Sequence, residues 1–158
     1  MTKFSIAREF ADRVQRDEPM SRHTSWHVGG PAGAWFSPRD VEDLSAFLRA
    51  LPTEVPVTWV GLGRNLLVRD GGIRGAVISV HGILNGLERV GDRSVRAEAG
   101  VACARLGRQC AKRELGPADF FAGIPGTVGG ALAMNAGAWG GETWPHVVEA
   151  ETIDRGGG

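Results

Sequence analysis

The sequence predicts a mixed fold of helices and strands arranged in two small lobes. Three observations indicate this class. A strand, a helix and a second strand follow one another within residues 34–60, a hairpin and a helix occupy residues 87–114, and an ordered glycine cluster covers residues 120–142. We therefore assign residues 20–82 to the first lobe and residues 83–158 to the second.

Composition limits the classes of partner. Glycine makes up 24 of the 158 residues, which is about twice its usual share of ~7% and favours loops shaped around a ligand. Lys plus Arg and Asp plus Glu number 18 each, so the net charge predicts neither nucleic acid nor an anionic membrane as a partner. No apolar run reaches ~18 residues and the N-terminus lacks the apolar segment of a signal peptide, so we expect a cytoplasmic protein without a membrane span.

Residues 1–19 are predicted to form an N-terminal helical arm. Apolar residues recur mostly every third position over residues 4–16, which favours a helix there. Beyond the arm, Trp26 and Val28 alternate with the polar His27, which predicts a short exposed strand before a Gly-Gly-Pro turn. A plain strand and turn without a functional role is an equal alternative for this segment.

A compact βαβ unit is predicted next. Residues 34–36 form a short buried strand, and a helix then begins with Ser37 as its N-cap and Pro38 at its first position. Val41 is expected on the apolar face of this helix. Residues 55–60 form the following strand, at a spacing that suits a strand–helix–strand unit.

The loop after this strand carries two closely spaced glycines and is a candidate anion-binding turn. Such glycines can present successive N–H groups to an anion, and Asn65 tolerates a left-handed backbone and can donate from its amide. The loop matches neither a GxGxxG fingerprint nor a P-loop, so by itself it is a weak signal. The Arg64 side chain either meets the anion or stays in solvent. The candidate residues are Gly61, Leu62, Gly63, Arg64, Asn65 and Leu66.

Two further strands are predicted in the first lobe, at residues 66–68 and 75–80. The chain leaves this lobe around residues 80–86. The second lobe then begins with a hairpin whose strands are residues 87–90 and 94–97, joined by a Gly-Asp-Arg turn.

The best helix of the second lobe is predicted over residues 102–114. Cys103 and Cys110 lie seven residues apart within it, on one face, which predicts two buried thiols because a disulfide within one helix is geometrically unfavourable. The four histidines are scattered and no CxxC or HxxxH pattern occurs, so no metal is expected. A last strand is predicted over residues 147–153.

The glycine cluster is ordered, because Gly123, Gly126 and Gly129 recur every third residue. Thr127 is predicted to cap a short helix over residues 128–134. No acidic side chain stands in the first turn of that helix, so bare amides at its N-terminus are expected to form an anion site. A tight structural turn packed on a neighbouring helix is the alternative.

Three segments of the chain resemble the UDP-N-acetylenolpyruvoylglucosamine reductases, flavoenzymes of peptidoglycan precursor synthesis. In chain order they are HTSWHVGGPA at residues 23–32, VGLGRNLLVRDGGIRG at residues 60–75 and AGIPGTVGGALAMNAGAWGGE at residues 122–142. The resemblance implies a two-lobed α+β FAD-binding domain of the vanillyl-alcohol-oxidase type. It also implies that the second lobe is incomplete and that a substrate domain is absent.

The resemblance further implies the cofactors and their contacts. The family uses FAD, takes hydride from NADPH and reduces the UDP-sugar substrate UDP-N-acetylglucosamine-enolpyruvate to UDP-N-acetylmuramate. FAD is expected to be non-covalent, since the chain lacks the His or Cys attachment motif. The loop at residues 61–66 would hold the pyrophosphate. The contacts implied in the second lobe are Gly123, Ile124, Pro125, Gly126, Thr127, Gly129, Gly130, Asn135, Ala136 and Gly137.

The chain also departs from the family. Arg64 stands where Ser is commoner, and Trp139 stands where Tyr is usual. The family is about twice as long, and its proton-donating Ser, catalytic Glu and Tyr-Arg pair are expected beyond residue 158, so we assign no catalytic residue. The chain is then either a fragment or a natural short form whose missing half is a separate chain. Another FAD oxidoreductase of the same fold, or a cofactor-binding module without activity, remains open.

Overall fold

The computed structural model describes residues 4–158, which divide into two compact units. The first contains the described residues up to Ile83 together with Glu151–Gly158, and the second is Leu84–Ala150. The sequence-based boundaries put the last eight residues in the second lobe, whereas they return to the first unit. There Arg155 Nη2 donates to the Pro52 carbonyl at 2.9 Å.

A four-stranded sheet forms the centre of the first unit. Its strands are β1 (Gln15–Pro19), β2 (Pro31–Phe36), β3 (Val57–Val60) and β4 (Ile73–Ser79). Their order is β1-β2-β4-β3, with β2, β4 and β3 parallel and β1 antiparallel to β2. The strands predicted at 34–36, 55–60 and 75–80 are thus confirmed. The predicted βαβ unit is also present, although β4 lies between its two strands.

Helix α1 (Val41–Ala50) connects β2 to β3. Its N-cap is Asp40, whose Oδ1 accepts a hydrogen bond from the Asp43 amide at 2.7 Å, so the prediction that Ser37 caps the helix is wrong. Val41 is 46% exposed, contrary to its predicted place on the apolar face. Helical side chains tilt toward the N-terminus, so the side chain of the first residue points past the end of the helix.

The helix predicted over residues 4–16 is wrong. A single 3-10 turn spans Arg8–Phe10 and strand β1 begins at Gln15. Phe10 packs edge-on against Phe36 and Phe47, with ring centroids 5.6 and 5.2 Å apart. Apolar side chains of this segment are therefore buried by tertiary packing and not by a helical face. Pairing of β1 with β2 overrides the local helical pattern.

Three of the predicted strands are absent from the described residues. At 26–28, His27 has a φ of +53°, and a left-handed residue interrupts an extended strand. Residues 66–68 have no strand partner in the described sheet, although Val68 is buried. Residues 147–153 likewise join no strand, because here the chain passes from the second unit back to the first.

The second unit contains the predicted hairpin, which is confirmed as β5 (Leu87–Val90) and β6 (Ser94–Ala97). Helix α2 (Cys103–Lys112) confirms the predicted helix with slightly shorter ends. Helix α3 (Val128–Met134) follows, and a two-residue ladder joins β7 (Gly137–Ala138) to β8 (Gly141–Glu142). Short 3-10 helices span Asp119–Gly123 and Trp144–His146.

The core of the second unit forms where α2 meets the segment before α3. Its buried residues are Val101, Cys103, Leu106, Cys110, Phe120, Phe121, Ile124, Val128 and Ala131. Both cysteines are free thiols in this core, as predicted. Burial raises the pKa of the Cys103 thiol to about 11, and burial also raises that of Cys110.

Candidate functional site

A cleft of about 370 Å³ opens in the first unit. Its lining combines the loop after β3 with the segment that follows β1 and the end of β4. The lining residues are Arg22, His23, Thr24, Ser25, His27, Trp35, Gly61, Leu62, Arg64, Ser79 and His81. None of them is acidic, while two are arginines and three are histidines, so the lining favours an anionic ligand.

The predicted anion-binding loop contributes to this cleft. Gly61, Leu62 and Arg64 line it. Gly63 is buried, with a φ of +63°, and a Cβ added there would lie 1.9 Å from the carbonyl oxygen of His23. The glycine at this position is therefore required by the backbone conformation and by packing of the loop itself. Asn65 is exposed and is not among the lining residues.

Unused backbone donors are the notable feature of this loop. The amides of Leu62, Gly63 and Arg64 make no main-chain hydrogen bond within residues 4–158. The loop is held instead through the Gly63 carbonyl, which accepts from the Ser25 amide at 3.1 Å and from its hydroxyl at 3.4 Å. Successive free N–H groups beside cationic side chains suit a phosphate-bearing ligand.

One wall of the cleft is fixed by His23. Its ring stacks on Trp35 with centroids 3.8 Å apart, and its Nε2 lies 2.9 Å from Glu18 Oε1. The same carboxylate oxygen is 3.6 Å from an Arg22 nitrogen. Glu18 thus contacts both side chains, and Trp35 is a flat, mostly buried surface beneath the His23 ring.

Sequence reasoning missed most residues of this cleft outside the loop. The HTSWHVGGPA segment contributes to the family resemblance, but its pattern predicts a strand and a turn. In the structure Thr24 Oγ1 donates to the Val28 carbonyl at 2.9 Å and the His27 amide donates to the Thr24 carbonyl at 3.1 Å. These bonds fold the segment into a compact turn against the glycine loop. The sequence signal for this part of the cleft is the density of His and Arg near residues 22–27, and that density alone does not specify a turn.

The second unit contains the remaining candidate residues. Thr127 caps α3 as predicted, since its Oγ1 accepts from the Gly130 amide at 3.3 Å. The expectation of bare amides at this helix end is wrong. The Val128 amide donates to Val101 at 2.8 Å and the Gly129 amide donates to Ala99 at 2.9 Å. These two amides are therefore already hydrogen-bonded within the unit, which weakens the hypothesis that the N-terminus of α3 binds an anion.

The glycines of the cluster fall into two groups. A Cβ on Gly123, Gly129 or Gly137 would come within 3.0 Å of another part of the unit, so these glycines are required by internal packing. A Cβ on Gly126 or Gly130 would meet only ordinary contacts, the nearest at 3.9 and 3.4 Å. Internal packing therefore does not require the absence of a side chain at these two positions, and that absence suits the close approach of a flat ligand.

Residues 135–137 form a structured turn. Asn135 is left-handed, with φ 45° and ψ 47°, and ends α3. Its side chain donates to Glu142 Oε2 at 3.0 Å and accepts from the Trp144 amide at 3.0 Å. The Ala136 carbonyl accepts from the Thr143 amide at 3.1 Å. These polar groups already have partners, so a ligand would meet mainly the exposed surface of Gly137.

Neither a metal-ligand cluster nor a membrane-spanning helix occurs in the described part of the chain. Within residues 4–158 no three His, Cys, Asp or Glu side chains gather as a metal site. In the same residues no helix combines the length and the apolar character needed to cross a membrane.

Comparison with known proteins supports a flavin-binding assignment. A family described as "FAD binding domain" matches residues 32–158. The solved structure of UDP-N-acetylenolpyruvylglucosamine reductase (MurB) from Thermus caldophilus is similar, with a TM-score of 0.65 and 33% identity. That likeness covers 82% of this chain and 45% of the other. The match confirms the predicted α+β FAD-binding fold.

The curated relatives that the chain matches are reductases of the same name. The UDP-N-acetylenolpyruvoylglucosamine reductase of Alkalilimnicola ehrlichii is 60% identical over 140 residues, which are 89% of this chain and 47% of the relative. The enzyme of the same name from Nitrosospira multiformis is 50% identical over 161 residues, covering 98% of this chain and 46% of the relative. The chain spans about half the length of the curated relatives it matches, and the predicted resemblance is confirmed. The chain belongs to the FAD binding domain family.

Proposed function

We propose that this chain is the FAD-binding part of an NADPH-dependent UDP-N-acetylenolpyruvoylglucosamine reductase. The reaction is reduction of UDP-N-acetylglucosamine-enolpyruvate to UDP-N-acetylmuramate, a step of peptidoglycan synthesis in the cytoplasm that serves cell shape and division. The proposal is supported by the family match at residues 32–158 and by the similarity to reductases of this name. The partners are therefore NADPH, the UDP-sugar and the portion that the longer relatives have in addition.

The observation that supports cofactor binding most directly is that the amides of Leu62, Gly63 and Arg64 have no main-chain partner. Three successive donors at a cleft without acidic lining residues fit a pyrophosphate, whose oxygens accept charge-assisted hydrogen bonds. We extend the proposed pyrophosphate contact to the whole loop, residues 61–66. Leu66 would pack beneath it, because its side chain is partly buried against the core.

The second unit is proposed to contact the rest of the cofactor through its backbone. Gly126 and Gly130 are the strongest candidates, because a Cβ there would meet only ordinary contacts, so internal packing does not require glycine. The other proposed contacts surround these two. They are Gly123, Ile124, Pro125, Thr127, Gly129, Asn135, Ala136 and Gly137.

FAD, when bound, supplies an acceptor and donor of hydride. The chain's own residues bind and orient it, and main-chain donors near its heteroatoms tune its electronics. We assign no proton donor to the described residues, so the catalytic acid is proposed to lie in the part that the relatives add. Attachment is proposed to be non-covalent. After acid precipitation the yellow colour should stay in the supernatant, and colour retained on the protein pellet would overturn this assignment.

A chimera tests the proposed activity. The 158-residue chain is assayed alone and fused to the carboxy-terminal half of the Alkalilimnicola ehrlichii enzyme, with that intact enzyme as control. We expect NADPH consumption that depends on the enolpyruvyl substrate only in the fusion and the control. The chain alone lacks a positioned general acid, a contribution of ~10²–10⁴, and it lacks substrate orientation.

Two outcomes would contradict the proposal. One is a folded, FAD-loaded fusion that consumes no NADPH with the enolpyruvyl substrate but is reoxidised by oxygen after reduction by an alcohol or sugar. That result would indicate a different oxidoreductase of the same fold. The other is substrate-dependent turnover by the chain alone at the rate of the control, which would place the catalytic groups within residues 1–158.

A further inference from the structure

The Arg and His side chains of the cleft in the first unit are of two kinds. Arg22 and His23 share the Glu18 carboxylate, at 3.6 and 2.9 Å, so each already has a partner. Arg64 and His81 line the same cleft but have no hydrogen bond or ion pair within the described residues. Their donors are therefore available to a ligand.

His27 belongs with the second kind. His27 lines the cleft and its side chain has no partner within residues 4–158, while its backbone is held at φ +53°. A non-glycine residue in the left-handed region persists where the surrounding structure imposes it. Here the hydrogen bonds from the His27 amide to Thr24 and from Thr24 to Val28 impose it. The turn thus fixes the point from which the imidazole extends.

Three residues whose side-chain N–H donors are free therefore line the same cleft as a loop whose amides are also free. Arg64 is part of that loop, so its guanidinium and its amide belong to one residue. An imidazole donates from one nitrogen even when neutral, and a guanidinium offers a fork of donors to phosphate oxygens. No acidic residue lines the cleft to compete with a phosphate.

We propose that Arg64, His27 and His81 bind a phosphate of the nucleotide through their side chains, in addition to the main-chain contact of the loop. This inference rests on the proposed function, because it adds side chains to the phosphate site named there. The ligand class is a nucleoside diphosphate, free or as half of a dinucleotide. Arg64 thus gives this chain a second, charge-based contact.

The test measures binding of three probes to the 158-residue chain at low and high salt. ADP and FAD both contain a pyrophosphate, whereas riboflavin contains none. The variants are Arg64→Ser, His27→Asn and His81→Gln, and Asn is chosen at position 27 because it tolerates a left-handed backbone. Arg74→Ser is the matched control, since it removes the same charge from an exposed position of the same unit outside the cleft.

Arg64→Ser should weaken ADP and FAD binding about fivefold at low salt, less at high salt, and should leave riboflavin binding unchanged. His27→Asn and His81→Gln should act in the same direction with smaller effects, and Arg74→Ser should change nothing. Thermal unfolding midpoints near that of the parent chain confirm that each variant is folded.

The outcomes separate this inference from the proposed function. Unchanged ADP and FAD affinity in a folded Arg64→Ser, His81→Gln double variant would overturn the inference while the proposed function stands. An equal loss of riboflavin binding would also overturn it, because the side chains would then act on the shape of the site. Arg64-dependent ADP binding by a chain that retains no FAD would uphold the inference and contradict the proposed function.

Discussion

Arg13 and Asp43 form a two-point ion pair in the first unit. Arg13 Nη1 lies 2.8 Å from Asp43 Oδ1, and Nη2 lies 2.5 Å from Oδ2. The Asp43 carboxylate also accepts from the Arg39 amide at 2.9 Å. The side chain of Asp43 is only 6% exposed. This pair therefore fastens the segment before β1 to the first turn of α1.

The ion pair predicts a pH-dependent stability. Hydrogen bonds from Arg13 hold the pKa of the Asp43 carboxyl well below its usual range. Because this pKa is lower in the folded chain than in the unfolded one, the stabilisation is fully present above about pH 4 and is lost as the pH falls below it. Asp43→Asn should lower the free energy of unfolding by about 1.5–3 kcal/mol at pH 7, and the difference from the parent chain should shrink toward pH 2.

Urea unfolding at several pH values measures this effect. Arg39→Ala is the control, because the Arg39 side chain is largely exposed and its ion pair with Asp43 is longer, at 3.3 Å. Its loss should cost about 0.2–1 kcal/mol. A difference between Asp43→Asn and the parent that stays constant from pH 7 to pH 2 would contradict the assigned role of the carboxylate.

Gly63→Val should distort the proposed phosphate loop. Residue 63 has a φ of +63°, and its Cβ would lie 1.9 Å from the His23 carbonyl oxygen, so both the backbone and the neighbouring segment must move. We expect a lower thermal unfolding midpoint and a loss of FAD affinity of about 10-fold or more, as for one lost hydrogen bond to a charged group.

Gly71→Val is the matched control for that experiment. A Cβ at Gly71 meets nothing within 4 Å, and its backbone is not left-handed. Its unfolding midpoint and FAD affinity should both stay close to those of the parent chain. Equal behaviour of the two variants would show that the shape of the loop at Gly63 does not matter for the cofactor.

The two thiols should be unreactive in the folded chain. Cys103 and Cys110 are buried at 0% and 2% exposure, and burial raises the pKa of the Cys103 thiol to about 11. The thiolate, which is the reactive form, is therefore scarce at neutral pH. Alkylation with iodoacetamide, followed by mass spectrometry, should label neither residue until denaturant is added. Rapid labelling of either under native conditions would mean that the core of the second unit opens readily.

Local patterns predicted the hairpin of the second unit and the N-cap of α3. The hairpin of β5 and β6 is signalled by a glycine-containing turn, and Gly91 has a φ of +63° as such turns require. Thr127 caps α3 because an N-cap depends on a hydroxyl and an amide three residues away. These features are set by neighbours in sequence, so the sequence alone identifies them.

Non-local contacts explain what the sequence did not predict. Strand β1 exists because it pairs with β2, and no pattern within residues 15–19 indicates that partner. The candidate cleft brings His27 and His81 to the Gly61 loop from distant positions, so their shared site was not predictable from spacing. The expectation of bare amides at the start of α3 was wrong for the same reason, because the Val128 and Gly129 amides donate to the carbonyls of Val101 and Ala99.

Retention of FAD by the 158-residue chain tests the central claim most directly. Equilibrium dialysis with FAD, read by visible absorbance and accompanied by circular dichroism to confirm folding, gives the stoichiometry. The account predicts saturable binding of one FAD per chain, displaced by excess ADP because the pyrophosphate contact is proposed for the loop of residues 61–66. A folded chain that retains no FAD, or retains it undiminished in excess ADP, would contradict the account.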